Sequence, residues 1–236
     1  MTRRAVAIGV GHYLPDRIVP NAEFEKTLDT TDEWITSRSG IERRHFAAPG
    51  QTTSDLAARA AMAALKMAGL TGNDVDAIIL ATSTADLTFP SAATMVQHAI
   101  ANTKGYAFDI QAVCAGFTFA LSNANALIVS GQANRVMVIG AETFSRILDW
   151  TDRGTCVLFG DGAGAVLLEA QDGNGTTDVL DIGIFGQYGA TGTKFTGLFR
   201  DATDGVYKLF TGSQTEPTTT VDTAAVCYTT ATLQAF

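Results

Sequence analysis

Five short apolar runs, at residues 4–10, 77–81, 106–111, 136–140 and 165–169, are interleaved with segments of helical period at 53–68, 91–101 and 115–130. Runs of that length read as strands. Strands spaced by helices restrict the chain to βαβ units, an α/β class with a mostly parallel sheet covered by helices. The punctuation agrees: Thr52, Thr53 or Ser54 can cap the first helix, Gly69 can stop it, and Gly131 can end the third. The small residues of the third helix predict that it is buried between layers.

Composition then removes several function classes. With 236 residues, 46% hydrophobic and 17% charged, the chain can bury a sizeable core. Its net charge of -8 leaves no basic surplus to neutralise a phosphate backbone, so no nucleic-acid partner is expected. Cys114, Cys156 and Cys227 are widely spaced and form neither a disulfide framework nor a CxxC metal site. A reducing, cytoplasmic setting and no metal are therefore expected. The basic start followed by an apolar run that halts at Gly9-Val10-Gly11 is too short for a signal peptide. The segment 112–129 is interrupted by Ser122, Asn123 and Asn125, so it reads as a buried helix rather than a membrane span.

The pattern changes at Asp172-Gly173-Asn174-Gly175, and a boundary is expected between residues 173 and 182. It divides an N-terminal domain, 1–173, from a Thr/Gly-rich tail, 174–236. Residues 206–210 read as a short strand; the tail shows no long helical pattern. The stretches 197–205 and 216–222 faintly resemble pieces of tailed-phage structural proteins, and the tail is expected to be the product of a frameshift or a chimera.

Cys114 lies at a junction between a strand and a helix. A thiol there faces the unsatisfied N–H groups and positive end of the helix, which favour the thiolate. The small neighbours Ala112, Ala115 and Gly116 permit a sharp turn, whose amides can donate to a developing oxyanion. This local pattern also fits a buried structural cysteine, the commoner outcome for a free thiol. Gly160-Asp161-Gly162-Ala163-Gly164 lacks the Lys-Ser/Thr of a phosphate loop and the GxGxxG spacing, and reads as a tight packing turn.

The stretch from Asp109 through Cys114 to Leu121 resembles the active-site segment of the β-ketoacyl-(acyl carrier protein) synthase III family. Further matches follow in the expected order: Asp29-Thr30-Thr31-Asp32-Glu33-Trp34-Ile35 with Arg38-Ser39-Gly40-Ile41 and Arg43-Arg44-His45, as a first helix and following turn; Ala81-Thr82-Ser83 with Phe89-Pro90-Ser91; Thr151-Asp152-Arg153-Gly154; and Phe159 to Ala165. The resemblance implies the N-terminal half of a thiolase-like layered fold. It implies an acyltransferase that condenses an acyl-CoA starter with malonyl-acyl carrier protein to begin fatty acid synthesis. Cys114 would be the nucleophile; Thr30, Trp34, Arg38 and Arg153 would contact CoA; Phe89 would line the acyl pocket of the partner in a homodimer. No cofactor beyond the acyl-CoA substrate and no membrane partner are implied.

The family also uses a later histidine and asparagine to stabilise the enolate formed on decarboxylation. Here His12, His45 and His98 all precede Cys114. His45 reads as a loop anchor and His98 as a packing residue. The alternative reading is therefore a non-catalytic fragment or interaction protein with a β-rich tail.

Overall fold

The computed structural model describes residues 3–172, and beyond them the backbone of strands at 182–188, 194–200, 207–213 and 229–230. The expected boundary, between residues 173 and 182, falls on residues outside the described ones except for 182 itself, and the stretch 216–222 and Cys227 lie outside them too. Residues Arg3–Asp172 form one compact unit, and the later strands belong to a second.

The first unit is built on β1 (Arg3–Tyr13), β4 (Ala77–Ala81), β5 (Tyr106–Ile110), β6 (Arg135–Thr143) and β7 (Asp161–Asp172), in the order β1-β7-β6-β4-β5. On β4 alternate residues serve opposite faces, as the period of two demands. Ile78 and Leu80 pack with Leu56, Ala60 and Ala64 of α2 (Thr53–Ala68) and with Ala93 and Val96 of α3 (Ala92–Ala99). Ala77, Ile79 and Ala81 pack with Ala120, Ala124 and Ile128 of α4 (Gly116–Val129).

Of the expected N-caps for α2 it is Thr52 that serves, in a reciprocal capping box with Asp55, and Gly69 closes the helix at φ 69°. The Ala-rich face of α2 lets β1 approach to backbone contact. A Cβ at Gly11 would lie 2.2 Å from the Ala60 carbonyl oxygen.

The α/β class stands, with three finer corrections. The sheet is mixed rather than mostly parallel: β4 pairs in parallel with β5 and β6, whereas β7 runs antiparallel to β6 and β1. The one helical segment in residues 144–160 is a 3-10 turn, Phe144–Arg146, and without a crossover helix the chain returns beside β6 in the opposite direction. The segment 160–164 is not a tight turn: β7 begins at Asp161, and Gly162 and Gly164 lie within it. Finally, α4 buries one stripe, Gly116, Ala120, Ala124 and Ile128, while Phe119 and Val129 are exposed, so it is not enclosed between layers among the described residues.

A smaller layer sits beside the sheet. The strand β2 (Arg17–Pro20) pairs antiparallel with β3 (Arg43–Phe46), so the expected turn at Arg43-Arg44-His45 is a strand. Between them come a 3-10 segment, Asn21–Lys26, and α1 (Asp32–Ser39). Val19, Phe24, Ile35, Phe46, Cys156 and Val157 form its core.

In the second unit β8 (Ile182–Tyr188), β9 (Lys194–Arg200), β10 (Tyr207–Ser213) and β11 (Thr229–Thr230) make an antiparallel sheet in the order β11-β10-β9-β8.

Candidate active site

The strand β5 ends at Ile110, and after Gln111 and Ala112 the chain makes one 3-10 turn, Val113–Ala115, before α4 begins at Gly116. Cys114 sits in that turn and is exposed. The turn is tight: Val113 has φ 49°, in the left-handed region that costs a β-branched residue about 1–3 kcal/mol. Gly116 donates its amide to the Val113 carbonyl, and a Cβ there would lie 3.1 Å from that of Ala81. Among the described residues no side chain caps α4, so the first-turn amides that follow Gly116 lie just beyond Cys114 in the chain without a side-chain acceptor. A substrate oxygen developing negative charge could take those donors.

The other cysteine of the described residues is different in kind. Cys156 is 0% exposed, and burial, with Asp152 adding to it, pushes its thiol above the ordinary value. It is therefore a packing residue.

The rim of the site is held by carboxylates. Asp109, on β5, accepts from the amides of Ala92 (2.8 Å) and Ala93 (2.7 Å) and so caps α3. Glu142, on β6, accepts from the Ser83 amide at 2.8 Å and from the hydroxyls of Thr82 and Thr84. That fastens the start of the loop between β4 and α3. The loop carries Phe89, which is 82% exposed, so packing into its own core is not its role.

A second group forms on the small layer. Thr31 caps α1 by accepting from the Trp34 amide at 3.1 Å, which sets the indole on the first turn. The Arg38 guanidinium lies 4.5 Å from the centroid of the Trp34 ring, and that of Arg153 lies 5.0 Å from it. Arg153 is anchored in turn by donating to the Asp29 carbonyl, with the Asp29 carboxylate at 3.5 Å. Trp34, Arg38 and Arg153 are thus brought together. Thr30 precedes the first turn of α1, but its hydroxyl oxygen is enclosed and has no hydrogen-bond partner among the described residues.

His45 holds its Nδ1 2.5 Å from the Pro15 carbonyl oxygen, in keeping with an anchoring role. The packing role expected of His98 is corrected. The buried side of α3 is Ala92, Ala93 and Val96, and His98 falls on the opposite side, exposed. The sequence reading missed Glu142, and the only signal was an acidic residue closing an apolar strand. Among the described residues no group of three His, Cys, Asp or Glu side chains could hold a metal ion, and no helix is long and apolar enough to cross a membrane.

Residues 108–184 match the family described as 3-oxoacyl-[acyl-carrier-protein (ACP)] synthase III. A β-ketoacyl-[acyl-carrier-protein] synthase III of Ruegeria sp. (strain TM1040) is 70% identical over 212 residues, covering 85% of this chain and 66% of the relative. The enzyme of that name from Roseobacter denitrificans is 78% identical over 177 residues, covering 75% of this chain and 55% of the relative. The crystal structure of 3-oxoacyl-[acyl-carrier-protein] synthase III from Aquifex aeolicus superposes with TM-score 0.70 at 45% identity, over 79% of this chain and 59% of that one. The chain therefore spans less than two thirds of the length of these relatives, and the thiolase-like class holds over the part they share.

Proposed function

The chain belongs to the 3-oxoacyl-[acyl-carrier-protein] synthase III family, of which it carries the N-terminal part, and from that premise we propose that it takes an acyl group from coenzyme A onto Cys114. The Sγ of Cys114 forms a bond to the acyl carbon, the amides at the start of α4 hold the oxyanion, and the bond to CoA sulfur breaks. The CoA thiolate leaves and takes up a proton. The thioester keeps its carbon activated for a second attack. In the full reaction malonyl-acyl carrier protein loses carbon dioxide, its carbanion attacks that thioester, and Cys114 is freed as fatty acid synthesis starts. His12, His45 and His98 match none of the groups the family uses for the second step, so the described residues are assigned the acyl-loading half.

The observation that carries this reading is the Trp34 ring with two guanidinium groups at 4.5 and 5.0 Å. An aromatic face and a planar cation together suit an adenine ring, and a second arginine suits the phosphates beside it. Thr30 would join them only if its hydroxyl turned outward. Acyl-CoA is then substrate, and no resident cofactor is called for. A reduced thiol is needed throughout, which fits a reducing, cytoplasmic setting. Replacing Trp34 with Ala removes a stacking surface worth about 1–3 kcal/mol per base, so CoA affinity in calorimetric titration should fall roughly 5- to 150-fold. Unchanged affinity would remove the adenine from this site.

The finer reading concerns a second copy of the chain. Phe89 projects into solvent, and β5 forms the sheet edge with Tyr106 exposed and stacked on Phe108, ring centroids 6.4 Å apart. An exposed apolar side chain and a strand at the sheet edge suit a homodimer in which Phe89 enters the partner's acyl pocket. Phe89→Glu should shift the sedimentation profile from dimer toward monomer. A dimer unaffected by this charge would move the acyl-pocket wall elsewhere.

A further inference from the structure

Arg44 is buried in the small layer, 6% exposed, and among the described residues it has no carboxylate partner. Its guanidinium donates to the Val19 carbonyl at 3.2 Å and to the Val157 carbonyl at 2.8 Å, and stacks 4.7 Å from the centroid of Phe24. Its Nε is enclosed and finds no acceptor among the described residues. A cation held this way is expensive, and burial pushes it below its ordinary value, with Cys156 nearby opposing the change. An aliphatic side chain would fill the space at lower cost. What an aliphatic chain lacks is a rigid fork that can hold two carbonyls at once.

Those two carbonyls belong to the two halves of the Trp34 group. Val157 ends a run of interlocked turns in which the Thr155 and Cys156 amides donate to the Asp152 carbonyl, and the Leu158 amide donates to that of Thr155. Arg153 lies inside this run, so fixing Val157 fixes Arg153. On the other side Val19 and Phe24 flank Asn21, whose Nδ2 donates to Asp32 of α1 and to the Ile41 carbonyl, both at 2.7 Å. That chain of bonds leads to Trp34. Gly160 lets the later segment close on this arginine: a Cβ there would meet that of Arg44 at 3.0 Å.

Resting on the CoA-binding reading above, we propose that Arg44 is a positioning residue, a clamp that holds the Arg153 segment against the hairpin and so sets the Arg153–Trp34 spacing that CoA binding uses. It touches neither the ring nor the ligand. Its effect is therefore on affinity and not on the reactivity of Cys114.

The test uses the full chain. Arg44→Lys keeps the charge and loses the fork, and its CoA affinity by calorimetry should fall on the order of tenfold. Cys114 alkylation by iodoacetamide should keep its rate, which a general loosening of the fold would not allow. In a Trp150→Phe background Trp34 is the one tryptophan, and Arg44→Lys should raise its acrylamide quenching as Arg153 moves away. Arg153→Ala should give the same quenching. If the parent chain binds CoA and Arg44→Lys binds it equally well, the clamp is overturned. If the parent does not bind CoA, the functional reading fails by itself and quenching decides the clamp: an increase keeps it, no change overturns it. Should Arg44→Lys fail to fold, Gly160→Ala displaces the same arginine and is read the same way.

Discussion

Gly11→Ala should lower the thermal midpoint by about 10 °C, while Gly164→Ala should leave it within about a degree. The two glycines sit close together, since Gly164 lies next to His12 in the register of β1 and β7. Their surroundings are opposite. A Cβ at Gly11 would stand 2.2 Å from the Ala60 oxygen and 2.4 Å from the Ala64 nitrogen, both main-chain atoms of α2 that cannot rotate aside. A Cβ at Gly164 would meet nothing within 4 Å among the described residues. The first substitution has to push α2 off the sheet, and overpacking of that kind costs about 3 kcal/mol. Equal midpoints for the two variants, read by calorimetry, would mean that β1 and α2 are not in backbone contact.

Cys114→Ala should abolish transfer of acyl groups from acyl-CoA to the protein, a loss of at least about a thousandfold. Cys156→Ala should leave transfer intact and instead lower stability by about 1 kcal/mol. The reason is where each sulfur sits. Cys114 is exposed at an uncapped helix start, whereas Cys156 is sealed among Phe24, Ile35 and Val157 with its proton held on by burial. Radiolabelled acetyl-CoA followed by acid precipitation separates the two. Equal label on the parent and on Cys114→Ala would remove the nucleophile from this account.

How much of this could be read beforehand depends on how local each signal is. The helix α2 was legible because its start and stop are written in adjacent residues, Thr52 with Asp55 and then Gly69. The hairpin of β2 and β3 was not. It is four residues a side, and Arg17, Arg43 and Arg44 give it the look of a solvated turn, although Arg44 is buried. Strand direction was equally hidden, because an apolar run looks the same whichever way it pairs. The glycines of 160–164 suggested a turn, yet Gly162 and Gly164 continue a strand, and Gly160 is there to let Arg44 pack.

The site divides in the same way. Cys114 was visible from the junction of a strand and a helix, while Trp34, Arg38 and Arg153 emerged only through resemblance. Arg153 is more than a hundred residues from Trp34, and no period connects them. The contributions of Glu142, Val113 and Arg44 are tertiary. A carboxylate that ties down a loop, a left-handed turn before a thiol and a cation bridging two carbonyls leave no pattern in the neighbouring letters.

Peptide mapping by mass spectrometry after incubation with acetyl-CoA puts the central claim to its most direct trial. One acetyl group, removable by hydroxylamine, is expected on the peptide that contains Cys114, and its formation should weaken when Trp34 is replaced. No adduct on that peptide, or acetylation confined to Cys156, would contradict it.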